Sequence, residues 1–169
     1  MIESFQSLLT NPSFPSLHVM VIHFPIALIC LAPFFDLGCL FLREKVWLDR
    51  VATLLYVMGT LGAGAAYLSG ERAAKALAEI SPTAESALAD HEGSALITLI
   101  ALAVVSLVRL WVSWLSRTDL RISLGFFRLV AIPVALAGLA LLAVTADRGG
   151  SLVYEHGLGV KMMNEPPAR

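Results

Sequence analysis

Charge is what this chain has least of. Only 15% of its 169 residues are Asp, Glu, Lys or Arg, against about a quarter in an ordinary soluble domain. That is too little to solvate the surface of a soluble globule of this length. No basic tract is present and the formal net charge is −1, which argues against nucleic acid as a partner. The opening stretch MIESFQSLLTNPSFPSLH has no Lys or Arg. It therefore lacks the basic start of a secretory signal peptide, and the first apolar run is expected to act as its own insertion signal.

Cysteine is equally scarce. Cys30 and Cys39 are nine residues apart, about 900° of helical rotation, so they face opposite ways and cannot pair. Both are expected to be small buried thiols. No Cys-x-x-Cys-His occurs, which excludes a covalently attached c-type haem. No His-Glu-x-x-His or His-x-x-x-His occurs either, so nothing indicates a zincin-type hydrolase. No nucleophile stands beside a base in any recognisable pattern.

Apolar sequence is what remains. The chain is 57% hydrophobic with a mean hydropathy of +0.78. Its apolar residues fall into runs of the length that crosses a bilayer core of about 30 Å. The expected fold is all-α, a single integral membrane four-helix up-and-down bundle. Its spans are expected at about 16–42, 48–69, 93–115 and 124–146. The 71–92 connection is expected to be helical, with Ser81 as an N-cap and Pro82 at the first helical position. Residues 147–169 are expected to fold back over the end of the bundle as a tail.

Orientation follows from the basic residues. Arg43, Lys45 and Arg50 lie in or beside the short 1–2 turn, and Arg117, Arg121 and Arg128 in or beside the 3–4 turn. The positive-inside rule places both turns in the cytoplasm, and both termini and the 2–3 connection in the periplasm. Trp47, Trp111 and Trp114 then fall at the cytoplasmic interface, as an aromatic belt does. The expected location is the bacterial inner membrane, in contact with lipid.

All four histidines gather at the opposite, outer end. His18 and His23 begin span 1, His91 begins span 3 and His156 follows span 4. Ionisable residues at the start of apolar spans are costly without partners, and point to function. In an up-and-down bundle spans 1 and 3 are diagonal, with axes roughly 13 Å apart when neighbours pack at 8–10 Å. That gap suits a porphyrin held edge-on, with iron ligated by a span-1 histidine and His91. His18 and His23 differ by about 140° around a regular helix, so one iron cannot take both, and Pro25 could alter this phase. One or two haem b groups are therefore expected, with His18, His23, His91 and His156 as candidate ligands. The alternative for these histidines is hydrogen-bonded structural packing. The span-2 glycines, Gly59, Gly62, Gly64 and Gly70, suit either close approach of a macrocycle or tight helix packing.

A second pairing comes from spacing alone. Asp36 follows His18 by 18 residues and Arg109 follows His91 by 18. Eighteen residues make five full turns, about 27 Å. If the two histidines face the core, Asp36 and Arg109 do too, and a structural ion pair is expected near the inner end.

The segments LHVMVIHFPIAL from Leu17 to Leu28, HEG at the start of span 3, and GGSLVYEHGLGV from Gly149 to Val160, together with Asp36, resemble a family of small four-span bacterial membrane proteins built on a domain of unknown function. The likeness covers most of the chain in architecture, and about thirty residues in specific motifs. Related domains are sometimes joined to c-type cytochrome or sugar-dehydrogenase modules. The resemblance implies periplasmic electron transfer, haem b, and His18, His23 and His91 as first candidates. The expected function is transfer of electrons between a periplasmic redox partner, such as a cytochrome c or a dehydrogenase, and membrane quinone. Two other classes stand beside it. One is a non-catalytic anchor or structural subunit. The other is a copper- or zinc-binding membrane protein.

Overall fold

The computed structural model describes residues 15–42, 46–77, 80–115 and 124–159. It has four helices: α1 (Pro15–Phe41), α2 (Val46–Lys75), α3 (Pro82–Leu115) and α4 (Leu124–Tyr154). All four are long and apolar enough to cross a membrane. Each packs on two neighbours. α1 contacts α2 and α4, and α3 contacts the same two, so α1 and α3 stand diagonally across the bundle.

The inward stripes follow helical periodicity. On α1, Pro25, Ile29, Ala32, Asp36 and Cys39 recur every three or four residues and are buried. On α3 the stripe is Ser94, Thr98, Leu102, Val105, Arg109 and Val112. Ile29, Ala32, Tyr56, Leu102, Val105 and Ala135 form the central apolar core. Large apolar side chains cover the outside, among them Phe24, Phe34, Leu61 and Leu107. That inversion of the soluble pattern is what a lipid solvent permits. Hydroxyls join the helices within the bundle. Thr60 donates to the Leu102 carbonyl at 3.0 Å, and Thr98 to the Leu141 carbonyl at 3.1 Å.

The 71–92 connection is helical at both ends, as expected: α2 runs on to Lys75 and α3 begins at Pro82. Ser81 caps that start, its Oγ accepting from the Ala84 N–H at 3.2 Å. At 34 residues α3 is about 50 Å long, so its first turns project beyond a 30 Å apolar layer. α4 also continues past Ala146 to Tyr154, so 147–154 are helical and do not fold back. Asp147, Arg148, Gly149 and Gly150 mark where the chain leaves the apolar layer, and helix persists because the projecting part of α3 gives it a partner. Arg148 donates to the Asp90 carbonyl at 3.0 Å. α4 ends in a turn where Gly157 takes a φ of 65° and its N–H bonds the Val153 carbonyl at 3.1 Å, a left-handed cap that favours glycine. The rest of the expected tail, from 160 on, lies outside the described residues. Finally, Cys30 is exposed on the outer face of α1, and only Cys39 is buried; neither is in a disulfide.

Candidate functional site

His18 and His91 occupy matching positions at one end of the bundle. Each is half-buried, and each reaches sideways to the next helix in the chain. His18 Nδ1 lies 3.0 Å from Ser69 Oγ on α2. The Ser69 hydroxyl donates to the Ala66 carbonyl at 2.8 Å, so its oxygen accepts and the His18 Nδ1–H donates. His91 Nδ1 lies 3.1 Å from the Thr145 carbonyl on α4, which can only accept. Both rings are thereby set in the same tautomer, with the proton on Nδ1 and a lone pair on Nε2. No hydrogen bond to either Nε2 occurs among the described residues. Each histidine lies 18 residues, five helical turns, from Asp36 or Arg109, which meet at 2.9 Å, so the two stand at about the same level.

Glycine shapes the wall behind each ring. A Cβ on Gly70 would stand 3.0 Å from His18 Cε1, and a Cβ on Gly149 would stand 3.0 Å from His91 Cε1. Any larger residue would push against the imidazoles. Gly64 meets nothing within 4 Å, so its lack of a side chain serves no contact with a described residue.

The other two histidines are placed differently. His23 is exposed on α1, and its Nδ1–H donates to the Val19 carbonyl of its own helix at 2.6 Å. His156 sits half-buried in the turn after α4, its backbone N–H 3.3 Å from the Ser151 carbonyl. Among the described residues no group of three or more His, Cys, Asp or Glu side chains comes together as a metal site.

The far end of the bundle holds a charged cluster. Arg109 Nη2 is 2.9 Å from Asp36 Oδ1 and 3.4 Å from Asp49 Oδ1. The Tyr56 hydroxyl donates to Asp36 Oδ2 at 2.8 Å. Arg109 and Tyr56 are each only 1% exposed, and Asp36 4%. Asp49 and Tyr56 were absent from the sequence expectation. They share the α2 stripe Asp49, Ala52, Thr53 and Tyr56, and the seven-residue interval between them, two helical turns, was the available signal. Ser69 and Thr145 were missed as well. Ser69 resembles any interfacial hydroxyl, and Thr145 contributes a main-chain carbonyl that no side-chain motif encodes.

No curated protein and no solved structure matches this chain. One family model does, over residues 15–162, described as a predicted membrane protein, DUF2231. The match takes in all four helices, both imidazoles and the charged cluster, and the four apolar spans agree with its description. The chain is therefore a multi-pass membrane protein that belongs to the DUF2231 family.

Proposed function

We propose that this protein is an electron-transfer component of the bacterial inner membrane, holding haem b between His18 and His91. One observation carries the reading. Two imidazoles on diagonal helices share one level, and each donates its Nδ1–H to a neighbouring helix while its Nε2 has no hydrogen-bond partner among the described residues. A metal-ligating histidine characteristically binds through one nitrogen and donates the other N–H to a fixed acceptor. Bis-imidazole iron needs two such ligands, and two are present. A bare zinc or copper centre needs three or four, and no such group gathers among the described residues. Haem b supplies one-electron chemistry at its iron when bound.

The chain's own residues do the rest. Ser69 and the Thr145 carbonyl hold the ring planes, and Gly70 and Gly149 leave the rings their space. The partners that fit are a periplasmic cytochrome c or dehydrogenase on the histidine side and quinone in the lipid. Both termini then lie in the periplasm. His23 and His156 lie outside the ligand pair.

The absorption spectrum of purified, dithionite-reduced protein, expressed with ample haem, tests this reading. A Soret band with sharp low-spin α and β bands is expected. His18→Ala or His91→Ala removes the low-spin signal while the protein still inserts, and His23→Ala and His156→Ala keep it. Absence of a Soret band from the wild type overturns the haem assignment.

Orientation is tested by cysteine labelling in intact cells, with Cys30 and Cys39 replaced. Impermeant maleimide is expected to reach Ser86→Cys and not Thr118→Cys. The reverse pattern inverts the topology.

A further inference from the structure

The two halves of the chain are built alike. On α1 and α3, 73 residues separate His18 from His91, Ile29 from Leu102, Ala32 from Val105, Asp36 from Arg109 and Cys39 from Val112. The two histidines are half-buried, and every other member of these pairs is buried. On α2 and α4, 79 residues separate Gly59 from Gly138, Ala66 from Thr145 and Gly70 from Gly149. Asp49 and Arg128 are also 79 apart in sequence.

The contacts repeat along with the positions. A Cβ on Gly59 would meet the Ile29 side chain at 2.6 Å, and one on Gly138 the Leu102 side chain at 3.3 Å. Gly70 backs His18 as Gly149 backs His91, both at 3.0 Å. The Ala66 carbonyl bears on His18 as the Thr145 carbonyl bears on His91. α1 and α3 start at the same end of the bundle, so α1–α2 and α3–α4 form a parallel repeat about an axis along the bundle.

We infer that the bundle is a doubled helical hairpin whose pseudo-twofold axis carries a single ligand gripped between His18 and His91, with Ser69 positioning the first ring. The chemical class of that ligand, one planar tetrapyrrole with two open axial positions, rests on the haem reading above; the axis does not. A site on the axis offers its ligand two equivalent faces and therefore takes one copy. The remaining histidines confirm by their asymmetry that they are not part of the repeated set. The position 73 residues after His23 is Leu96, and the position 79 before His156 is Leu77.

The two histidines differ in the acceptor each one meets. The His91 acceptor is a main-chain carbonyl, whereas His18 also leans on the Ser69 hydroxyl, a group that substitution removes. Ser69 is a positioning residue: it touches the imidazole and not the ligand.

Two experiments on the full-length chain test this separately from haem occupancy. In the first, Cys30 and Cys39 are replaced by alanine and a short bifunctional methanethiosulfonate is added to haem-free protein in membranes. His18→Cys with His91→Cys is expected to form an internal cross-link, and His23→Cys with His91→Cys is not. Cross-linking of neither pair, or of both equally, overturns the axis. On the unsubstituted protein, imidazole ¹⁵N shifts report the same geometry: His18 and His91 are expected in the Nδ1–H tautomer, and Nε2–H forms would overturn it. In the second, hemin is titrated into purified protein. Saturation at one per chain is expected. Ser69→Ala weakens the affinity about 10- to 100-fold and Ser69→Thr restores it. Saturation at two per chain overturns the single-ligand site, and an unchanged Ser69→Ala titration overturns the positioning role. If the wild type binds no hemin, the haem reading falls, and cross-linking with tautomer shifts decides the axis alone.

Discussion

The two ends of the bundle meet across the same diagonal with opposite chemistry. At one end α1 and α3 present two imidazoles, and at the other a carboxylate and a guanidinium. Unlike charges satisfy each other, so Asp36 and Arg109 close to 2.9 Å and are almost wholly buried. Two imidazoles in one tautomer cannot satisfy each other through Nε2, where both carry a lone pair. Their N–H groups go instead to Ser69 and Thr145. One end is a clasp that holds α1 to α3. At the other, each imidazole is tied to its own neighbouring helix instead. The difference teaches that a repeated backbone specifies neither a lock nor a site; the pair of residues placed on its axis does.

The contrast is broken most severely at the charged end. Arg109→Ala leaves Asp36 and Asp49 without their common cation in a dry interior, at a cost of about 3–5 kcal/mol. Asp36→Ala is milder, on the order of 3 kcal/mol, because Arg109 keeps Asp49 at 3.4 Å. Unfolding followed by helix signal in mixed micelles measures both. Equal, negligible losses would mean that the cluster does not clasp the helices.

Tyr56→Phe sharpens the same point more gently. It deletes one hydrogen bond to a buried carboxylate, worth about 1.5–3 kcal/mol, and leaves the aromatic ring in the core. The same unfolding assay is expected to place it below Asp36→Ala. A loss as large as that of Arg109→Ala would show that the ring's packing had been disturbed as well.

The smallest effect on stability is expected at the histidine end. In haem-free protein, His91→Ala forfeits one bond to the Thr145 carbonyl, about 1 kcal/mol. A destabilisation matching the charged end would make His91 a structural clasp and erase the contrast between the ends.

The architecture was legible because its causes are local. Apolar runs of spanning length and Ser81 before Pro82 act over a few residues. The Asp36–Arg109 pair also emerged from counting, since 18 residues return a helix to the same face. The end of α4 was less legible. Hydropathy marks where a chain leaves lipid, but the helix continues past Ala146, where the Arg148 side chain reaches the Asp90 carbonyl on α3. The repeat stayed hidden because only its His and Gly pairs are identical, and the others include Ile with Leu, Ala with Val and Asp with Arg. For those, equivalence lies in position and contact, not in identity.

By itself, the sequence determined that this chain lives in a membrane as four helices and that its histidines lie at one end. Hydrophobic length and residue order are sufficient causes of both. Only the tertiary structure decided which histidines bond to a neighbouring helix, which way their protons point and what stands behind each ring. Those depend on contacts between helices 51 and 54 residues apart in the chain, and no local pattern carries that information.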